Sequence, residues 1–174
     1  MMTESMKTRI GVMGFGEIGR QIYHLAAESD DIEVVAISDI GKPEILYYLL
    51  SSASIQSPGV ELEGNYLHNP KFNTRMMQTD RPAETPWDLI DVSMVIDTTG
   101  KFRSQAGMRG HLDNGAHRVM ISSLPDDHID HLVIPGVNDA SASSEDRMIS
   151  AGSATTVALA LVLKVLSDEF PIEA

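Results

Sequence analysis

Ile10-Gly11-Val12-Met13-Gly14-Phe15-Gly16-Glu17-Ile18-Gly19-Arg20 sets three glycines, Gly14, Gly16 and Gly19, between a short apolar run and a helical pattern. Each glycine has its own task in a phosphate-binding turn. Gly14 permits the tight passage from strand to helix, Gly16 lets the backbone approach a pyrophosphate, and Gly19 lets the helix pack closely against the strand. The anion then rests on the helix N-terminus, where unpaired N–H groups and the dipole favour negative charge. Three glycines alone are weak evidence, because turns need glycine for many reasons. The second half of the pattern is Glu33-Val34-Val35-Ala36-Ile37-Ser38-Asp39, a strand ending in an acid. A carboxylate about 20 residues beyond the glycines is placed to accept the ribose hydroxyls of an adenosine. Strand, turn, helix, strand and acid in that order predict a dinucleotide site.

Outward from this stretch, 174 residues with 43% apolar content and a net charge of −12 describe one soluble globular core. The 25 acidic side chains against 13 Lys and Arg repel nucleic acid and anionic membranes over most of the surface. With no cysteine, disulfides, thiolate metal sites and a thiol nucleophile are excluded from this sequence. The first residues, Met1 to Lys7, have no apolar leader core, and no stretch approaches the roughly 18 apolar residues of a membrane span. The cytoplasm is therefore the expected compartment.

Periodicity places strand one at 9–13 and helix one at 18–29, with Ile22, Leu25 and Ala26 facing the sheet. A second helix is expected at 43–50, with Pro43 in its first turn and with Tyr47 and Tyr48 packing as aromatics. Residues 55–79, broken by Gly59, Gly64, Asn65, Asn69, Pro70 and Asn73, predict a small antiparallel excursion. His68 is read there as a solvated turn residue. The run 93–100 predicts a central parallel strand, followed by a helix at 105–114 and strands at 117–122 and 132–138. The fold class expected is α/β, a doubly wound, mostly parallel sheet of the Rossmann type with a small antiparallel insertion. Strand C-terminal ends face the ligand crevice, which brings Thr99, Gly100, Ser122 and Ser123 toward it. His111, His117, His128 and His131 lack metal-ligand spacing; they read as surface residues, and no metal site is expected.

Seven segments in order carry a family resemblance: Gly14 to Arg20, Ala36 to Asp39, Pro86-Trp87, Thr98 to Phe102, Gly115 to Ser122, Gly136-Val137-Asn138, and Ser153 to Thr156 with Lys164-Val165-Leu166. Together they resemble the N-terminal NAD domain of the glyceraldehyde-3-phosphate dehydrogenase family. The resemblance implies NAD as cofactor. It implies pyrophosphate on the backbone of Phe15, Gly16, Glu17 and Ile18, adenosine ribose on Asp39, adenine near Asp80, Arg81 and Phe102, and nicotinamide ribose near Ser122. It further implies glyceraldehyde 3-phosphate and inorganic phosphate as substrates of a full-length parent, Ser153 and Thr155 beside them, and a homo-oligomer. By the same resemblance, residues 1–152 form the NAD domain and 153–174 open a catalytic domain that is cut short.

Departures fall on working positions. Ala154 stands where the family has its nucleophilic cysteine, and a methyl group forms no covalent adduct. Val157 replaces an asparagine, Glu17 an arginine, and Ala53 an aspartate of the family pattern. Three readings follow: the inactive cofactor part of a phosphorylating aldehyde dehydrogenase is preferred, and a non-catalytic NAD-sensing or interaction module is a second. The cofactor half of a related semialdehyde dehydrogenase is a third. Finally, residues 157–163 are apolar all round, so their helix is expected to be buried, folded back onto the sheet or exchanged with a second copy.

Overall fold

The computed structural model of the chain describes residues 7–52 and 59–170. Its centre is a parallel sheet: β1 (Thr8–Met13), β2 (Ile32–Ser38) and β5 (Asn73–Met77) to one side, β6 (Met94–Asp97), β7 (Arg118–Ile121), β9 (Met148–Ser150) and β8 (His131–Leu132) to the other. The spatial order is β5-β2-β1-β6-β7-β9-β8, with the antiparallel pair β3 (Glu61–Glu63) and β4 (Tyr66–His68) added outside β5. The chain winds outward from β1 through β2 to β5, then restarts at β6 on the opposite side. That reversal between β1 and β6 is the switch point of a doubly wound α/β sheet, where the strand ends leave a crevice. The antiparallel excursion is present, and its last strand joins the main sheet, pairing parallel with β2.

Helices cover both faces. α1 (Glu17–Glu28) and α2 (Pro43–Ser51) set Tyr23, Ala26, Leu46 and Leu50 against Ile10, Val12, Val34 and Ile37. On the other face Trp87 lies with Met13, Val35, Ala36 and Val95, while α3 (Gln105–Asp113) places Met108 on Val119 and Ile121. Gly11 makes room for the indole, since a Cβ there would stand 2.6 Å from Trp87 Cζ3. Ser104 caps α3 by accepting the Gly107 N–H at 3.2 Å.

Several expectations are corrected. The run 132–138 is mostly a turn: Asn138 Oδ1 accepts the Ile134 N–H at 2.7 Å, its amide donates to Leu132 O at 2.7 Å, and Gly136 takes φ +79. The Pro135-Gly136 pair ends the strand at Leu132, and the neighbour of β7 is instead β9. Leu25 is 66% exposed and Tyr48 68% exposed, so α1 faces the sheet through Tyr23 and Ala26, while Tyr47 alone of the tyrosine pair packs on the core. His68 belongs to β4 and is bonded to Asn73 at 2.9 Å, not to a turn. His111 is completely buried rather than superficial. α4 (Ala154–Glu169) buries none of its residues, so it does not fold back onto the sheet. Ala53 lies outside the described residues.

Candidate functional site

Where β1 hands over to α1 the three glycines divide their labour as the physics requires. Gly14 has φ +85, a conformation that excludes side chains. A Cβ on Gly19 would stand 2.2 Å from the Gly14 carbonyl oxygen, so only glycine lets the helix start so close to the strand. Gly16 is different: a Cβ there would meet no atom within 4 Å, because the residue faces an open cleft. No side chain caps the first turn of α1, which leaves its N–H groups and the positive end of the dipole directed at whatever enters.

The cleft holds about 280 Å³ and is lined by Met13, Gly14 and Gly16 from the turn, Ser38, Asp39 and Ile40 after β2, Asp80, and Thr98, Thr99 and Lys101 after β6. It sits at the carboxyl ends of the parallel strands, at the switch point. A larger opening of about 510 Å³ around Arg9, Glu33 and Asp91 lies at the opposite end of β1 and β2. There Arg9 is already held by Glu33 at 2.8 Å and by the Asp91 and Ile90 carbonyls at 2.9 Å. Topology and the unused N–H groups favour the smaller cleft.

Asp39 is tied into the turn: one carboxylate oxygen accepts the Phe15 N–H at 2.7 Å and the other the Gly41 N–H at 2.7 Å. Each oxygen keeps a further lone pair for a ribose hydroxyl. Thr98 Oγ1 donates to the Gly14 carbonyl at 2.6 Å, so the turn is braced by the end of β6. Lys101 Nζ faces Asp80 Oδ2 at 3.4 Å on the cleft rim.

Of the residues expected from sequence, Gly14, Gly16, Asp39, Asp80 and Thr99 line the cleft together. Phe15 contributes its backbone while its ring is buried edge-on against Tyr23, centroids 5.9 Å apart. Glu17 and Ile18 are exposed in the first turn of α1, and Gly100 is exposed with φ +68. Arg81 turns away to Glu84 at 2.7 Å, and Phe102 leans into the core with its ring edge-on to His111, so neither lines the cleft. Ser122 follows β7 with its N–H on the Asp97 carbonyl at 3.1 Å. Ser153 caps α4 by accepting the Thr156 N–H at 3.2 Å, with Ala154 and Thr155 exposed beside it. As lining residues the sequence reading missed Met13, Ser38, Thr98 and Lys101, which lie within the quoted segments, and Ile40, which directly follows Asp39. Among the described residues no group of three His, Cys, Asp or Glu could hold a metal ion, and no helix is long and apolar enough to cross a membrane.

Comparison with known proteins adds an independent line. Residues 8–105 match the family model described as glyceraldehyde 3-phosphate dehydrogenase, NAD binding domain. The chain is 40% identical over 177 residues to the glyceraldehyde-3-phosphate dehydrogenase of Mycobacterium avium, covering 96% of this chain and 52% of the relative. It is 35% identical over 183 residues to that of Haloarcula vallismortis, covering 100% and 52%, and 33% identical over 175 residues to that of Mycoplasma pneumoniae, covering 99% and 52%. The chain thus spans about half the length of the curated relatives it matches.

Proposed function

The chain belongs to the glyceraldehyde-3-phosphate dehydrogenase family, through the family's NAD-binding domain, and on that premise we propose that it is the cofactor-holding part of a phosphorylating aldehyde oxidoreductase. NAD is the cofactor of this domain. The observation that carries the reading is the cradle at Gly16, open to the cleft beside an uncapped helix N-terminus and facing Asp39.

In this reading the backbone from Phe15 to Ile18 holds the pyrophosphate, Asp39 the adenosine ribose, and Asp80 with Ile40 the wall beside the adenine. Thr99 and Gly100 border the middle of the cofactor, and Ser122 the nicotinamide ribose. Arg81 and Phe102 support this wall from outside rather than by contact. NAD, when bound, supplies a hydride acceptor. The residues of this chain bind and orient it. Glyceraldehyde 3-phosphate and inorganic phosphate are the proposed substrates of a complete enzyme, with Ser153 and Thr155 at the start of the catalytic domain. Residues 1–152 and 153–174 are the proposed cofactor and catalytic parts, acting in the cytoplasm as a homo-oligomer.

With Ala154 at the head of α4 and no cysteine in the sequence, this chain binds NAD without turning over aldehyde. The same observation favours a second reading, a non-catalytic NAD-responsive module. Calorimetric titration with NAD and NADP tests the shared part. A charged hydrogen bond of the kind Asp39 offers is worth about 1.5–3 kcal/mol, so NAD should bind at least about tenfold tighter than NADP. Asp39→Ala should abolish that preference; equal binding of both by the unaltered chain overturns the assignment.

A further inference from the structure

Behind the cleft wall runs a chain of polar groups that contact with a cofactor does not account for. Asp97 ends β6 and is 2% exposed, and Trp87 and His111 are fully buried. One Asp97 oxygen accepts the Thr99 N–H at 2.8 Å and the Thr99 hydroxyl at 2.6 Å. The other faces His111 Nε2 at 3.1 Å, and Trp87 Nε1 donates to His111 Nδ1 at 3.2 Å. An indole nitrogen can only donate, so Nδ1 accepts and the imidazole proton sits on Nε2, from which it is donated to Asp97. One tautomer satisfies every member. A polar trio in the core is costly to leave half satisfied, whereas apolar side chains would fill the same volume without that risk.

Thr99 is where this chain reaches the ligand side. It lines the cleft, and a Cβ on Gly14 would stand 2.9 Å from Thr99 Cγ2 and 3.1 Å from its nitrogen. The glycine turn therefore rests directly on Thr99, while Thr98 holds the Gly14 carbonyl. Any displacement of Asp97 moves the surface against which the turn is seated.

We propose that His111 is a positioning residue for the cofactor: with Trp87 it orients Asp97, which fixes Thr99 and through it the turn that receives the pyrophosphate. The inference rests on reading this cleft as the NAD site. Coupling between two positions is reciprocal, so NAD entering the cleft is felt at the indole of Trp87. That indole belongs to the single tryptophan of the sequence, and its N–H gives one resonance.

Nitrogen–proton correlation spectra of the labelled chain, recorded during NAD titration, test this without altering a residue. Movement of the Trp87 indole resonance and the Thr99 amide together with Gly16 and Glu17 supports the proposal; movement of Gly16 and Glu17 with an unmoved indole overturns it. If no cleft resonance moves, the NAD assignment of the cleft fails. The relay is then judged alone by the Thr99 amide without NAD, which must differ between the unaltered chain and His111→Asn; an identical resonance overturns it. His111→Asn keeps an acceptor for Trp87 but loses the donor to Asp97, and should weaken NAD binding about threefold to tenfold. His111→Gln keeps a donor at the Nε2 position and should recover most of that loss. Should both variants merely lower the unfolding midpoint while binding NAD as the unaltered chain does, the role is structural and the proposal is wrong.

Discussion

Glu17 stands exposed in the first turn of α1, next to the N–H groups that would hold two phosphates. A carboxylate there suits the helix dipole but repels the same anion that the dipole attracts. Glu17→Arg should therefore tighten NAD binding several-fold at low ionic strength, with an advantage that shrinks as salt is added. Unchanged affinity at low salt would mean that the side chain lies away from the phosphates. Tyr23 shows the opposite situation, a titratable group sealed in the core. Burial pushes its hydroxyl up to about 12. The folded state then resists ionisation that the unfolded chain undergoes near its ordinary value of 10.0, so the stability this group provides is intact below that value and is lost as pH rises toward 12. Urea unfolding between pH 8 and 11.5 should show a loss on the order of 2 kcal/mol that Tyr23→Phe does not share. Gly14 and Gly19 were legible because backbone geometry leaves no substitute there, and the acid after β2 because its carboxylate follows the glycines at a set spacing. His111 was not: a lone histidine on a helix carries no sign of burial until Trp87 and Asp97 are brought to it from 24 and 14 positions away.

Among the elements, β1, α1 and β2 could be read with nearly correct bounds because apolar period, turn glycines and terminal acid agree there. The far side of the sheet was harder. β8 has two residues and β9 three, too few to show any period, and an apolar run interrupted by Pro135-Gly136 imitated a strand. What secures β9 is a side chain: Asp130 accepts the Arg147 and Met148 N–H groups at 2.8 Å each. These two donors, Met148 foremost, hold the Asp130 carboxyl below its ordinary value of 3.8. The stabilisation is therefore present above 3.8 and is lost as pH falls through the lower folded value. Because Asp130 is exposed, screening limits the effect, and Asp130→Ala should cost about 1 kcal/mol at pH 7. Unfolding followed down to pH 2.5 should show the two proteins converging; a constant difference across that range would contradict the charge-assisted anchoring of β9.

At the scale of the whole molecule the apolar surface is unevenly covered. α1 and α2 shield β1, β2 and β5, but Met94, Ile96 and Met120 on β6 and β7 are only half-buried on that face. α4 adds Leu159, Leu161, Val162, Leu163, Val165 and Leu166, each 40% exposed or more. The all-round apolar character of this helix was legible, and of the two outcomes expected from it, folding back onto the sheet or exchange with a second copy, the first is not what the structure shows, since period and composition say that a surface needs a partner without saying which. Burying one leucine is worth about 1.5–3 kcal/mol, and an identical helix on a second copy offers a self-complementary surface under two-fold symmetry. We therefore expect the chain to associate as its concentration rises, with an increase in mass visible by light scattering. Leu161→Glu together with Leu163→Glu should stay monomeric over the same range. Because neither side chain is buried within the monomer, the unfolding midpoint of the dilute variant should match that of the unaltered chain. A lowered midpoint would place α4 in the core of the single chain, and an unaltered chain that scatters as a monomer throughout would remove the second copy as the partner of this helix.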